Sequence, residues 1–203
     1  MSIKILLIGE SSVGKTCLIK RYMDGTFKEN FVTTVGMDYK VKRITLNNKQ
    51  YDLEIIDTSG QERFHCLAES NYKKADGIML VFDFTNQSSF DSLKDYWLNE
   101  LDKYGNMPKI IVGNKKDLEN IRIVNTQEME KLGKKKNIRC FECSAKNGEN
   151  IESIFIYLTE LILSAPHKKR IKSFKLKNNT SQQNNNKNNK NEKTYCVENK
   201  NCM

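Results

Sequence analysis

A glycine-punctuated turn near the amino terminus constrains the fold of this chain more than any other stretch. Residues 9–16 read Gly-Glu-Ser-Ser-Val-Gly-Lys-Thr, so four residues separate two glycines and a Lys-Thr pair follows. The turn lies between the apolar run 3–8 and residues 17–24, whose apolar side chains recur at helical spacing. This arrangement of strand, loop and helix is typical of the phosphate-binding P-loop and predicts a nucleoside triphosphate ligand.

The residue types of the loop match what phosphate binding requires. The two glycines let the backbone curl so that successive N–H groups point at phosphate oxygens. Lys15 would place its charge on the outer phosphates, and Thr16 would offer its hydroxyl to Mg²⁺. We expect the whole segment to contact the nucleotide: Gly9, Glu10, Ser11, Ser12, Val13, Gly14, Lys15, Thr16 and Cys17.

Strand-like and helix-like stretches alternate along the rest of the chain. The strand patterns cover 35–46, 51–56, 78–83, 109–113 and 138–143, and the helix patterns cover 88–104, 126–136 and 149–163. Asn47-Asn48 marks a hairpin turn, whereas 57–74 is polar and irregular. The alternation predicts an α/β fold of three layers, with a six-stranded, mostly parallel sheet and helices on both faces.

Charge divides the chain into two parts. The net charge is +9, but from Ala165 onward ten basic residues stand against two acidic ones, and the other 164 residues carry 24 basic and 23 acidic. Residues 178–193 are almost purely Asn, Gln and Lys, a composition typical of disorder. We therefore expect one domain over 1–164 and a basic, Asn-rich disordered tail over 165–203. A nearly neutral folded part does not indicate a nucleic-acid-binding face.

Targeting signals and cysteine spacing add few constraints. The chain has no run of 18 apolar residues, and its first apolar run is short and contains Lys4, so we expect no membrane-spanning helix and no signal peptide. A cytosolic protein keeps its thiols reduced, which argues against a disulfide framework for the six cysteines. Cys140 and Cys143 form a lone CxxC, a weak signal for a redox or zinc site.

Polar side chains follow the ends of three predicted strands, where parallel sheets bind ligands. After the strand ending at Ile56, Asp57 could hold Mg²⁺ through water, the Gly60 amide could sense a γ-phosphate, and Gln61 could orient an attacking water. Residues 114–117 and 144–146 follow the two later strands.

The two later groups indicate which base is bound. The Asp117 carboxylate could accept two N–H bonds from guanine, and adenine lacks that donor pair. A backbone N–H of the 144–146 segment could donate to guanine O6. The expected base-binding residues are Asn114, Lys115, Asp117, Ser144, Ala145 and Lys146.

With these motifs in place, the chain resembles the small GTPases of the Ras superfamily and, among them, the Rab proteins. The resemblance extends from Ile3 to about Leu163, and beyond the nucleotide motifs it is carried by 35–39, 61–64, 71–75, 80–84 and 142–146. It implies that Phe27 packs on the guanine, that Lys115 stacks on its other face, and that Thr34 closes on Mg²⁺ and the γ-phosphate. The implied catalytic residues are Gln61, Lys15 and Thr34, and the implied metal ligands are Thr16, Thr34 and Asp57.

The resemblance also implies a switch that other proteins read. Its first switch is the effector-binding region, and its second runs from Asp57 to about Lys74. The implied partners are effectors, a nucleotide exchange factor, a GTPase-activating protein and a GDP-dissociation inhibitor or escort protein, with the chain itself a monomer. The effector region comprises Phe31, Val32, Thr33, Thr34, Val35, Gly36, Met37, Asp38 and Tyr39.

The end of the chain carries the expected membrane attachment. Rab proteins usually end in two close cysteines that are prenylated, whereas here Cys202 is penultimate and Cys196 lies six residues upstream. We expect prenylation at Cys202, with Cys196 a second candidate, against the alternative of an unmodified tail. A lipid chain and a basic cluster together supply the two signals for stable attachment to the cytosolic face of membranes.

Three functions stay open on the sequence alone. The first is slow GTP hydrolysis that drives a switch in vesicle traffic. The second is a GTP-binding scaffold with little hydrolysis, because Ser59 replaces the usual alanine beside the γ-phosphate pocket. The third is a P-loop kinase or ATPase, against which the Asn114–Asp117 motif argues.

Overall fold

Alternating buried strands and amphipathic helices produce a layered α/β domain. A computed structural model describes residues 1–28, 37–58 and 72–165. Within these residues the strands are β1 (Ser2–Ile8), β2 (Met37–Leu46), β3 (Lys49–Thr58), β4 (Gly77–Asp83), β5 (Lys109–Asn114) and β6 (Arg139–Glu142). The helices are α1 (Lys15–Asp24), α2 (Gln87–Ser92, continued through Leu93–Trp97 and Leu98–Asp102), α3 (Thr126–Lys136) and α4 (Ile151–Ser164).

The strands form one sheet in the order β2-β3-β1-β4-β5-β6. β2 pairs with β3 in antiparallel fashion, and every other neighbouring pair is parallel. All seven residues of β4 are buried, as expected of a central strand covered on both faces. The prediction of a six-stranded, mostly parallel sheet is confirmed for the described residues.

Helices cover both faces of the sheet. α1 and α4 pack on one face, where the rings of Tyr22 and Phe155 stack with centroids 4.0 Å apart. α2 and α3 pack on the other face, where Trp97 and Leu132 join side chains such as Leu80. Successive residues of β1 and β4 belong alternately to the two cores, as the period of a strand requires. The result is the predicted three-layer arrangement.

The hairpin turn lies at the predicted Asn47-Asn48, whereas the ends of its strands differ from the predicted bounds. Asn47 and Asn48 both have positive φ, 51° and 59°, which is the type I′ geometry favoured in two-residue hairpins. β3 extends to Thr58, because Asp57 pairs with Asp38 of β2 and the Thr58 hydroxyl donates to the Leu7 carbonyl at 2.8 Å. The predicted irregular segment is therefore wrong at 57–58, and also at 72–74, which are helical. Residues 59–71 lie outside the described residues.

Two irregular helical segments lacked a sequence signal. Residues Leu93–Trp97 of α2 form a π-helical turn, in which the Leu98 N–H donates to the Leu93 carbonyl. A 3₁₀ helix, Lys116–Ile121, follows β5 directly.

No helix among residues 1–28, 37–58 and 72–165 is long and apolar enough to cross a lipid bilayer. The proposed boundary near Ala165 stays a prediction, since residues 166–203 lie outside those ranges.

Candidate functional site

The loop between β1 and α1 has the backbone shape that its glycines allow. Gly9 has φ 143°, and a Cβ there would lie 2.0 Å from the Val81 carbonyl oxygen. Gly14 has φ 93°, and a Cβ there would lie 2.4 Å from Asn114 Nδ2. Real side chains do not fit at such distances, so the neighbouring strands β4 and β5 require glycine at both positions. The curled loop lies at the carboxyl end of the parallel strands, where such sheets bind ligands.

Lys15 directs its charge into this loop. The side chain is 5% exposed, and Nζ donates to the carbonyls of Gly9 at 2.7 Å and Glu10 at 3.0 Å. The Glu10 carboxylate is itself held by the Ser92 hydroxyl of α2 at 2.6 Å. A buried ammonium ion among carbonyl groups is a strong attractor for a phosphate oxygen.

Thr16 and Asp57 come together at the ends of α1 and β3. The Thr16 hydroxyl donates to Asp57 Oδ2 at 2.7 Å, while Asp57 Oδ1 is buried with no hydrogen-bond partner in the described part of the chain. Burial raises the pKa of the Asp57 carboxyl, and the Thr16 hydrogen bond and the Lys15 charge oppose this rise. An orphaned carboxylate oxygen beside a hydroxyl is the donor set that Mg²⁺ prefers, so these residues fit the ion.

Asn114, the last residue of β5, joins two loops of the site. Its Nδ2 donates to the Val13 carbonyl of the P-loop at 2.9 Å, and its Oδ1 accepts from the Ala145 amide at 3.1 Å. The side chain is 1% exposed. Both ends of the amide are therefore satisfied inside the protein, and Asn114 fixes the P-loop to the loop that follows β6.

Lys115 adopts a left-handed conformation, φ 65°, directly after β5. Its Nζ lies 2.6 Å from Oδ2 of the buried Asp83, whose Oδ1 accepts from the amide and the hydroxyl of Thr85. Asp83 thus holds the extended Lys115 side chain in place. Sequence reasoning missed this role, because nothing in the pattern of β4 connects Asp83 to a residue 32 positions later.

Asp117 is oriented by the loop after β6. The Ser144 hydroxyl donates to Asp117 Oδ1 at 2.5 Å and accepts from the Asn147 amide at 3.0 Å. The carboxylate is therefore held at one oxygen by a hydroxyl that is itself fixed. Ser144 is fully buried, which makes this contact a structural feature of the site.

Arg21 of α1 clamps the same loop from the other side. Its Nε donates to the Ala145 carbonyl at 2.8 Å, and its guanidinium also donates to the carbonyls of Lys146 and Gly25. Arg21 is absent from the site residues predicted above. Its only sequence signal is its place in the last turn of α1.

Comparison with known proteins agrees with this geometry. Residues 4–164 match the model of the Ras family. The chain is 44% identical over 162 residues to Ras-related protein Rab-10 of Diplobatis ommata, covering 79% of this chain and 80% of that protein. It is 43% identical over 155 residues to Ras-related protein Rab-1D of Dictyostelium discoideum, covering 75% and 76%. This chain is a Rab-type small GTPase of the Ras superfamily.

Several residues expected in a Rab-type site lie outside the described ranges. They include Gln61, predicted to be catalytic, Thr34 and Gly60, predicted to act in the switch, Ser59, and the predicted effector residues Phe31, Val32, Thr33, Val35 and Gly36. Of the remaining effector region, residues 37–39 begin β2, and the Asp38 and Tyr39 side chains are exposed.

The other predicted contacts are partly placed. Phe27 is half-buried and packs against the core beneath α1 and α4. Cys17 is half-buried in the first turn of α1, and burial raises the pKa of its thiol. Cys140 and Cys143 join different cores on opposite faces of the sheet, and both are free thiols. The described ranges contain no group of three potential metal-binding His, Cys, Asp or Glu residues.

Gly14→Ala should uncouple the P-loop from Asn114. Alanine would occupy a left-handed conformation with its Cβ against Asn114 Nδ2, so the variant loses a buried hydrogen bond and gains strain. Together these cost about 2–5 kcal/mol, so GDP affinity should fall by a factor of about 30 or more. Titration of a fluorescent GDP analogue measures this change.

Gly25→Ala is the matched control for this experiment. Gly25 also has a positive φ, 66°, but a Cβ there meets no atom within 4 Å. Its GDP affinity should stay within about threefold of the wild type, because only local backbone strain is added. Equal losses in both variants would show that backbone strain, and not the contact with Asn114, governs binding.

Proposed function

We propose that this chain binds GTP and GDP, hydrolyses GTP slowly, and acts as a Rab-like switch in vesicle traffic. The observation that carries the proposal is the pair of hydrogen bonds that Asn114 and Ser144 donate after β5 and β6. Asn114 holds the loop in place, and Ser144 orients the Asp117 carboxylate that would recognise the base.

Guanine selection is proposed to rest on Asp117. A carboxylate held by Ser144 can accept the N1 and N2 hydrogens of guanine, whereas adenine would leave it desolvated and unpaired. Lys115, tethered to Asp83, would stack on the base, with Phe27 on the other face. The Ala145 amide already donates to Asn114, so it would have to share its hydrogen with guanine O6.

The phosphate end of the nucleotide would lie in the P-loop. The Lys15 ammonium would neutralise the outer phosphates, and the loop amides would donate to their oxygens. Thr16, Asp57 and Thr34 would hold Mg²⁺, which supplies charge neutralisation to the phosphates when it is bound. The buried, unpartnered Asp57 Oδ1 supports this assignment within the described residues.

Hydrolysis is proposed to need little covalent chemistry from the protein. Phosphoryl transfer depends mainly on positioning and on charge stabilisation. Gln61 would orient the attacking water, and Lys15 would stabilise charge on the leaving side. An arginine donated by an activating protein would accelerate the reaction, by roughly 10³–10⁵-fold in such systems.

The output of the switch is proposed to be conformational. Loss of the γ-phosphate would release Thr34 and Gly60, so effectors that read residues 31–39 would bind only the GTP form. An exchange factor would reload the site, and a GDP-dissociation inhibitor or escort protein would carry the lipidated GDP form. The chain would act as a monomer on the cytosolic face of intracellular membranes, with a cytosolic pool.

Gln61→Leu should abolish γ-phosphate release while GTP still binds, because leucine cannot orient water. The measurement is single-turnover release from GTP-loaded protein, and Gln50→Leu, an exposed glutamine of β3, is the control that should retain the wild-type rate. Release that is unchanged in Gln61→Leu would contradict the assignment.

The wild-type rate also separates the two functional candidates. A wild type that shows no turnover, even with activating proteins supplied, would favour the scaffold function suggested by Ser59. Ser59→Ala should then restore hydrolysis, because alanine is the usual residue at this position in the family that the sequence resembles.

Cys202 should carry a prenyl group in protein isolated from its own cells. Intact-mass measurement should show the added lipid, and Cys202→Ser should remove it and shift the protein from the membrane fraction to the soluble fraction. Lys136→Gln, a change on α3 that leaves both terminal cysteines in place, is the control and should keep the lipid. An unmodified Cys202 would contradict the proposal.

A further inference from the structure

The second half of α3 carries a group of exposed lysines. Lys131, Lys134 and Lys135 are all exposed, and we call them the α3 lysine cluster. At about 100° per residue, they fall within an arc of about 100° on the helix surface. The buried side of α3 is formed by Met129, Leu132 and Gly133, so the cluster occupies the outermost face.

The α3 lysine cluster makes no salt bridge within the described part of the chain. Other lysines nearby do: Lys136 Nζ lies 3.4 Å from Asp102, and Lys103 Nζ lies 2.6 Å from Glu100. The acidic residues of α3 itself, Glu128 and Glu130, form no salt bridge with the cluster either. The helix dipole favours cations in the last turn, which includes Lys134 and Lys135, but Lys131 lies one turn earlier.

The cluster lies toward the end of the sheet at which the parallel strands begin, opposite the nucleotide site. α3 closes onto the start of β6, because the Ile138 amide donates to the Gly133 carbonyl at 2.9 Å. Arg139, the first residue of β6, is exposed and pairs with Ile110 near the amino end of β5. The P-loop and the base-binding loops lie at the other, carboxyl ends of these strands.

Helix α4 ends at the same end of the sheet. A Cβ on Gly77, the first residue of β4, would lie 2.5 Å from Ile162 Cδ1, so the final turn of α4 packs on the amino end of that strand. Ten of the chain's 34 basic residues follow Ala165 in the sequence. The chain therefore leaves α4 at the amino end of the parallel strands. The α3 lysine cluster lies toward the same end of the sheet.

We propose that the α3 lysine cluster, together with Arg139, docks the folded domain on an anionic phospholipid membrane. This inference rests on the membrane association given above as part of the proposed function. Docking by this end of the sheet would turn the nucleotide site away from the bilayer. Exchange factors and activating proteins could then reach the site.

Charge complementarity favours a membrane over a nucleic acid. A protein can bind a planar anionic membrane through a local group of cations on one end of its surface, since the charge of the membrane is spread over many headgroups. A nucleic acid needs a basic groove or stripe that follows its backbone. The 164 residues before Ala165 carry 24 basic and 23 acidic side chains, which is too balanced for an extended basic stripe.

The test compares two double variants of the full, unlipidated chain loaded with GDP. Lys134→Gln/Lys135→Gln removes two cations of the cluster, and Lys40→Gln/Lys94→Gln removes two lysines from β2 and α2. Sedimentation with vesicles of phosphatidylcholine and phosphatidylserine gives the partition coefficient, and vesicles of phosphatidylcholine alone give the uncharged reference. Each cation near an anionic surface contributes roughly a fivefold change in partitioning.

The cluster variant should therefore partition at least about tenfold more weakly than the wild type, and the control variant should stay within about twofold. Lys131→Gln alone, outside the last turn of α3, should lose roughly fivefold. Equal losses in the two double variants, or no loss in the cluster variant, would overturn the proposal. So would a cluster variant that loses binding to a DNA duplex but keeps its binding to vesicles.

GDP affinity, measured on the same samples, separates this inference from the function on which it rests. Both double variants should bind GDP like the wild type, because none of these four lysines touches the site, and this result also shows that the variants are folded. A wild type that does not bind GDP would reject the switch. Normal GDP binding without the expected difference on vesicles would reject only the docking surface.

Discussion

The site depends on the side-chain amide of Asn114. One end of the amide donates to the P-loop at Val13 and the other accepts from Ala145, so a single buried group sets the distance between the phosphate-binding and base-binding loops. A buried amide satisfied at both ends is costly to disturb, because removal of either bond leaves a desolvated polar atom. The close approach of Gly14 to this amide explains why the P-loop requires glycine there.

Supporting contacts hold the base-binding loops from several elements. Asp83 holds Lys115, Arg21 clamps the carbonyls of 145–146, and Arg122 braces the segment after the 3₁₀ helix. The Arg122 guanidinium lies 2.6 Å from Glu142 and 3.8 Å from the centre of the Phe84 ring. Burial raises the pKa of Glu142, but the hydrogen bonds from Arg122 and Thr126 outweigh burial and leave this pKa below its usual value. The base-binding loops after β5 and β6 are thus tied to neighbouring strands and helices.

The sequence predicted the features that follow from local pattern. The P-loop, the alternation of strands and helices, and the polar residues at strand ends all have short, fixed spacings, and the described parts of the structure confirm the fold. The roles of Asp83, Arg21 and Arg122 had no such signal, because each depends on contacts between residues far apart in the chain. The ends of β3 were also missed, since pairing with β2 determines them and the polar Asp57 and Thr58 do not read as strand.

The measurement that tests the central claim is the ratio of GDP to ADP affinity of the full chain, with Asp117→Ala beside the wild type. If Asp117, held by Ser144, selects guanine, the wild type should prefer GDP by about 10⁴-fold or more. The preference should collapse in Asp117→Ala, while ADP affinity changes little. Comparable affinities for GDP and ADP in the wild type would contradict the account, because the loops joined by Asn114 would then bind phosphate without recognising the base.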